Sequence, residues 1–481
     1  MNFALLNNGC MIVEQIYTGC LAHGAYYIES EGEAAVIDPL REVAPYLQRA
    51  ERHGAKIKYV FETHFHADFV SGHVDLARKT GGGIVFGPSA QPAFDAITAT
   101  DGQVFNVGRL TVTVLHTPGH TLESCCYLLK DETGKAIGLF SGDTLFIGDV
   151  GRTDLAQKAA HMTTEELAGM LYESLQNKIM PLPDDVVVYP GHGAGSACGK
   201  KMSNEITDTL GHQKVVNYAL RPALTKTAFV KEVTAGLVQP PAYFPQNVML
   251  NKEGYDSIDM VLERGLQALA PAAFKAAALE TDALVLDTRS PQAFAHGFIA
   301  ASVNIGLDGA FAPWAGALLA NIQQPILVVA DEGREEEVIT RLARVGCDNV
   351  AGYLNGGFEA WERAHMHVGH IPCVTAGQLA DIMQHQSINL LDVRKKNEFE
   401  SEHIAGAENV PLDFINEETS VLDRNKAYYV HCGSGYRSVI FISILLSRGF
   451  ANLINITGGF KALKDSGRFA ITDFVCPVSF L

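Results

Sequence analysis

The stretch Thr63-His64-Phe65-His66-Ala67-Asp68-Phe69 places two imidazoles and a carboxylate within five residues, directly after the apolar run Tyr59-Val60-Phe61. Imidazole nitrogens and carboxylate oxygens at this density read as ligands for a first-row transition metal. The strand Lys58–Phe61 delivers the stretch into a loop, so the chain has to fold with that strand end facing further ligands. Phe69 ends the stretch with a ring that cannot ligate anything.

Further candidates recur beside glycines, each where an apolar strand gives way to a loop. They are His120 in Thr117-Pro118-Gly119-His120, Asp143 in Ser141-Gly142-Asp143 and His192 in Tyr189-Pro190-Gly191-His192. Glycine lets the backbone turn sharply, so side chains from separate strands can converge. Around them the pattern is layered. Ala25–Glu29 and Ala34–Asp38 read as a hairpin. Val43, Tyr46, Leu47 and Ala50 repeat at helical spacing before Gly54. Leu110–Leu115, Tyr127–Leu129, Ala136–Phe140 and Val186–Tyr189 read as strands. This predicts two sheets with helices outside.

The run Thr-His-x-His-x-Asp, then Pro-Gly-His, Gly-Asp and Gly-His, resembles the metallo-β-lactamase family over roughly residues 10–250. The resemblance implies an αββα sandwich with its metal at one sheet edge. Two-metal hydrolases of that fold, of the glyoxalase type, carry a histidine directly after the motif's aspartate, where this chain has Phe69. Two histidines and one carboxylate on one face leave open positions, the arrangement suited to non-haem Fe(II). The sequence is most similar to persulfide dioxygenases of this fold. By that resemblance His64, His120 and Asp143 would hold one Fe(II) per chain, with His66, Asp68 and His192 around them orienting water and ligands. Gly151-Arg152-Thr153-Asp154 also resembles this family. Arg152 would position an anionic substrate, pin the metal-bearing loop, or pair with Asp154. In the glycine-rich loop after His192, the neighbouring Lys200 and Lys201 favour a thiolate at Cys198. The loop resembles one in persulfide dioxygenases fused to rhodaneses, by which Cys198 would touch the substrate's sulfur or thiol carrier, the alternative being a structural cysteine in a tight turn.

Past residue 250 one module appears twice. Asp287-Thr288-Arg289, Phe294 and Val303-Asn304-Ile305 answer Asp392-Val393-Arg394, Phe399 and Glu408-Asn409-Val410. Gly356-Gly357-Phe358 answers Gly458-Gly459-Phe460. Strands alternating with helices imply a parallel sheet covered on both faces. Both copies resemble rhodanese domains. In the second, Cys432-Gly433-Ser434-Gly435-Tyr436-Arg437-Ser438 precedes the apolar helix Val439–Leu446. Glycines there let successive N–H groups form an anion nest, the helix start adds a positive dipole end, and Arg437 adds full charge. Together they would favour the Cys432 thiolate and hold a persulfide on it. In the first copy Asp331 takes the cysteine's place in a shorter, acidic loop, so that copy reads as catalytically dead. The domains are therefore expected at 1–250, 251–370 and 371–481, with a break at Gln239–Pro245 and a second linker at His365–Pro372.

A chain of 481 residues is long enough for three such domains. Its formal charge of -17 argues against nucleic acid as a partner. No run approaches the ~18 apolar residues of a membrane span, and no signal peptide is evident. Nine cysteines without framework spacing, Cys10 and Cys476 among them, suggest reduced thiols in a cytoplasm. The parts imply a homo-oligomeric, bifunctional sulfide-detoxifying enzyme. Its iron domain would oxidise a low-molecular-weight thiol persulfide with O2 to sulfite, and Cys432 would carry sulfane sulfur toward thiosulfate. The alternatives are a zinc thioester hydrolase of the glyoxalase II type fused to a sulfurtransferase, and a non-enzymatic sulfur-sensing scaffold.

Overall fold

The structure is a computed structural model that describes residues 2–7, 11–157, 161–319, 321–418 and 422–475, so Cys10 and Cys476 lie outside the described residues. The chain divides into two compact units, 1–258 with 343–346, and 259–342 with 347–481.

The first unit is built on two sheets. One has seven strands in sequential order, β1 (Asn2–Asn7), β2 (Ile12–Thr18), β3 (His23–Ser30), β4 (Glu33–Ile37), β5 (Lys56–Phe61), β6 (Gly83–Phe86) and β7 (Ile97–Thr98). The other has six, in the order β13 (Asp208–Thr209), β12 (Val187–Pro190), β11 (Ala136–Gly142), β10 (Cys125–Lys130), β9 (Leu110–His116) and β8 (Val104–Val107). Strand alternation sorts the side chains into layers. On β3, Tyr26 and Ile28 pack between the sheets with Tyr127, Leu129, Phe140 and Tyr189. Their neighbours Ala25 and Tyr27 face the helix Ala44–His53, meeting Tyr46 and Ala50. On β10, Cys126 and Leu128 face the opposite helices, against Ala168, Leu171 and Phe229. The result is an αββα sandwich. The expected glycine stop is present: Gly54 takes a left-handed backbone and closes the first helix.

The unit runs past residue 250. A helix spans Phe244–Glu253, with Pro245 in its first turn, where a missing N–H costs nothing. Pro245, expected in a break, is thus part of a helix start. That helix belongs here because Asn251 Nδ2 donates to the carbonyls of His66 and Phe69, both at 2.8 Å, and its Oδ1 accepts from Ser71 N at 2.8 Å.

The second unit holds two five-stranded parallel sheets of one design. Their orders are β14-β18-β17-β15-β16 and β19-β23-β22-β20-β21. Here β14 is Ala268–Leu269, β15 Leu284–Asp287, β16 Val303–Asn304, β17 Ile326–Val329 and β18 Val350–Leu354. In the later copy β19 is Cys373–Val374, β20 Asn389–Asp392, β21 Glu408–Asn409, β22 Tyr428–His431 and β23 Leu453–Ile456. Strand register corrects one alignment. Asp287 pairs with Val329, and Asp392 pairs with His431. Ala330, not Asp331, therefore stands where the second copy has Cys432. The first copy's helix begins at Glu335 and the second's at Tyr436, so the first loop is also one residue longer, not shorter. A methyl group carries no sulfur, so the inference of an inert copy is unchanged. No helix among the described residues is long and apolar enough to cross a membrane.

Candidate functional site

The metal-ligand candidates converge at one edge of the first unit. Asp38, at the end of β4, accepts from Thr63 N at 2.8 Å and from Thr63 Oγ1 at 2.9 Å. Thr63 Oγ1 in turn lies 3.0 Å from His64 Nδ1, which leaves Nε2 facing the site. His120 is placed by the turn after β9, where Gly119 has φ +146 and an added Cβ would stand 2.5 Å from the Leu171 backbone. Its Nδ1 donates to the Arg152 carbonyl at 2.7 Å, again leaving Nε2 free. Asp143 follows Gly142, whose φ of +48 and 2.5 Å approach to Thr63 admit no side chain.

His64, His120 and Asp143 offer ligand atoms within 4.8 Å of one another. His64 Nε2 lies 3.9 Å and His120 Nε2 3.4 Å from Asp143 Oδ2. All three are buried, and both Asp143 carboxylate oxygens lack a hydrogen-bond partner among the described residues. A buried, unsatisfied carboxylate beside two imidazoles fits a cation. Burial holds the His64 imidazole well below its ordinary range and brings His120 down to about 4, so both are neutral and able to ligate.

A second group lies alongside. His66, Asp68 and His192 also offer atoms within 4.8 Å, with His192 Nε2 3.5 Å from Asp68 Oδ2 and 3.6 Å from Asp143 Oδ1. His66 Nε2 is 3.1 Å from Asp38 and 3.4 Å from Glu62. Burial opposes its protonation, yet these two carboxylates hold it well above the ordinary range. Phe69 is wholly buried, with its ring centroid 4.2 Å from His23 and 4.3 Å from His66 and with Leu21 and Leu40 packed against it. Its ring carries no ligand atom to add to the second group.

Arg152 does not face the centre as a free cation. It grips both carboxylate oxygens of Asp154 at 2.7 Å and donates to the carbonyls of Ala197 at 3.0 Å and Val238 at 2.6 Å. Its own N–H donates to the Cys198 carbonyl at 2.9 Å. It ties the Asp143 loop to the Cys198 loop. Cys198 is placed with Asp143 and His192, so the loop does bring sulfur to the metal group. The expected thiolate is not supported. Burial, then Asp68 and Asp143, push the Cys198 thiol well up. Lys200 Nζ points instead at the carbonyls of Glu232, Val233 and Ala235.

Sequence reasoning missed Asp149. One oxygen accepts from Lys200 N and Lys201 N, both at 2.6 Å. The other accepts from Val150 N and from Tyr218 OH, both at 2.9 Å. This buried carboxylate also joins the two loops. Asp38, Glu62 and His23 were missed as well, since nothing local in the sequence marks them.

In the second unit Cys432 is buried at the end of β22. Gly435, with φ +107, aims its N–H at Cys432 Sγ from 3.1 Å. Ser438 Oγ is 3.7 Å from that sulfur and donates to Asn455 at 2.8 Å. Gly433 and Ser434 form the open side of the loop, and Ser434 is exposed. Arg437 is held bidentately by Glu398 at 2.6 and 2.9 Å rather than lying free in the loop. Tyr436 points away from the sulfur, and its hydroxyl donates to Gly306 O at 2.7 Å.

Residues 18–192 match the Metallo-beta-lactamase superfamily, and residues 270–364 and 375–466 match the Rhodanese-like domain. A cytoplasmic hydroxyacylglutathione hydrolase of Arabidopsis thaliana is 32% identical over 178 residues, 36% of this chain and 65% of that one. The Rhizobium etli hydroxyacylglutathione hydrolase is 39% identical over 165 residues, 34% of this chain and 57% of that one. The chain thus spans less than two thirds of the length of these curated relatives. A crystal structure of a metallo-beta-lactamase from Staphylococcus aureus aligns with TM-score 0.63 and 32% identity, over 72% of this chain and 99% of that one. The ligand-bearing strand ends, the αββα layers and these matches together show that the chain belongs to the metallo-beta-lactamase superfamily, with rhodanese-like domains following the metal domain.

Proposed function

We propose that the first unit uses one Fe(II) to oxidise a low-molecular-weight thiol persulfide, and that the last rhodanese-like copy transfers sulfane sulfur. The balanced reactions are R–S–SH + O2 + H2O giving R–SH, sulfite and two protons, and Cys432–S–S⁻ with sulfite giving the Cys432 thiolate and thiosulfate. The observation that carries this reading is the pairing of an open His64–His120–Asp143 face with Phe69. Two imidazoles and one carboxylate would leave open positions on such a metal for substrate and O2.

A metal held there supplies oxygen activation and a Lewis-acid anchor for the persulfide. The protein supplies the rest. Thr63 and the Arg152 carbonyl fix the tautomers of His64 and His120, so their Nε2 atoms stay available. Phe69 keeps the neighbouring wall apolar. Cys198 places its thiol beside Asp143, where a substrate sulfur would lie. In the second unit the Gly435 N–H steadies charge on Cys432 sulfur.

A zinc thioester hydrolase is the second reading, favoured by the buried His66–Asp68–His192 group and the hydrolase names of the relatives. Metal analysis separates the two. The anaerobically purified chain is expected to hold about one iron, lost in His120→Ala. Two zinc ions per chain, with no iron-dependent turnover, would overturn the dioxygenase reading.

A further inference from the structure

We infer that the rhodanese-like copy whose loop lacks a cysteine is a positioning platform for the sulfur loop of the other copy, acting through a two-glycine slot that holds Tyr436. This rests on the sulfur-transfer reading of Cys432.

Tyr436 is the first residue of the helix Tyr436–Ser447, between Gly435, whose N–H meets the sulfur, and Arg437. Its ring enters the earlier copy. The hydroxyl donates to Gly306 O at 2.7 Å. A Cβ added at Gly309 would stand 2.4–2.6 Å from two ring carbons and the hydroxyl oxygen of Tyr436, and one at Gly306 would stand 3.1 Å from the ring. Neither glycine has a positive φ, so it is the approach of the ring, not backbone conformation, that excludes a side chain there. The internal repeat shows that the slot belongs to one copy alone. Asn304-Ile305-Gly306-Leu307-Asp308-Gly309 answers Asn409-Val410-Pro411-Leu412-Asp413-Phe414, so the other copy fills both slot positions with side chains.

A second anchor lies two turns along the same helix. Asn304 N, on edge strand β16, donates to Ser443 Oγ at 2.9 Å. Residues i and i+7 share a helix face, so Tyr436 and Ser443 fasten one side of the helix to the earlier copy. The Cys432 loop is thereby clamped between its own β22 and a helix whose start is set by its neighbour. A copy with no cysteine in its loop thus has a use: it fixes where the Gly435 N–H and Arg437 stand.

The test perturbs the platform from the far side with Gly309→Ala. Two readouts are taken: thiosulfate-forming sulfur transfer, and iodoacetamide alkylation of the Cys432 peptide at neutral pH followed by mass spectrometry. The expected result is a loss of about tenfold in both, as the N–H contact to sulfur is displaced. Tyr436→Ala should reproduce the loss without overpacking. The double variant should be no worse than Tyr436→Ala alone, because the clash it relieves is the same contact. Alkylation unchanged in both single variants would overturn the inference, as would losses that simply add in the double variant. If the unaltered protein transfers no sulfur, the functional reading fails, while the alkylation series still decides the platform.

Discussion

Asp149→Asn isolates the join between the metal loop and the Cys198 loop. The carboxylate accepts four hydrogen bonds: Lys200 N and Lys201 N on one oxygen, Val150 N and Tyr218 OH on the other. An asparagine oxygen can keep one pair. The cheaper orientation keeps the two lysine N–H groups, since the amide nitrogen can then donate to the Tyr218 hydroxyl. That leaves Val150 N buried without an acceptor, costing about 2 kcal/mol. The two remaining bonds lose their ionic partner and weaken by about half, roughly 1 kcal/mol each. The total is about 4 kcal/mol, a large share of the ~5–15 kcal/mol that holds a domain folded. At about 2–4 °C per kcal/mol for a domain of this size, the melting transition should fall by about 8–16 °C. Both tryptophans, Trp314 and Trp361, lie in the second unit. Circular dichroism should therefore show the early transition while tryptophan emission keeps its own. A shift below about 2 °C would show instead that the four contacts carry little net energy.

Other outcomes follow from the cysteine loop. Cys432→Ser should abolish thiosulfate formation yet leave O2 uptake on a preformed persulfide intact, measured with an oxygen electrode; loss of both would tie the two sites together. Glu398 neutralises Arg437, so Glu398→Gln should free that cation and lower KM for thiosulfate several-fold in a sulfur-transfer assay. An unchanged KM would show that Arg437 does not meet the anion.

Much of this architecture is readable from residue order because the physics behind it is local. The β3–β4 hairpin, the Gly54 helix stop and the doubled Asp-x-Arg strand ends all follow from period and turn chemistry. His120, Asp143 and His192 stand out because each sits beside a glycine at a strand end, and His64 because it shares a five-residue stretch with His66 and Asp68. What escaped depends on approach across the fold. Asp38 reaches Thr63 from 25 residues away, and His23 meets Phe69 only once the fold brings their segments together, whereas Glu62 meets His66 from four residues away. Lys200 lies beside Cys198 in sequence but spends its charge on distant carbonyls, which misled the thiolate expectation. Arg152 resolves the other way, since its pairing with Asp154 is local and does form. The Ala330–Asp331 alignment needed strand register, which loop residues do not encode.

The proposed oxygen-consuming iron site rests on Phe69 and the three-ligand face. It is tested most directly in an oxygen electrode charged with the iron-loaded protein and a low-molecular-weight thiol persulfide. O2 uptake matched mole for mole by sulfite is expected, absent in His120→Ala. No uptake with persulfide, together with metal-dependent cleavage of a glutathione thioester, would contradict it.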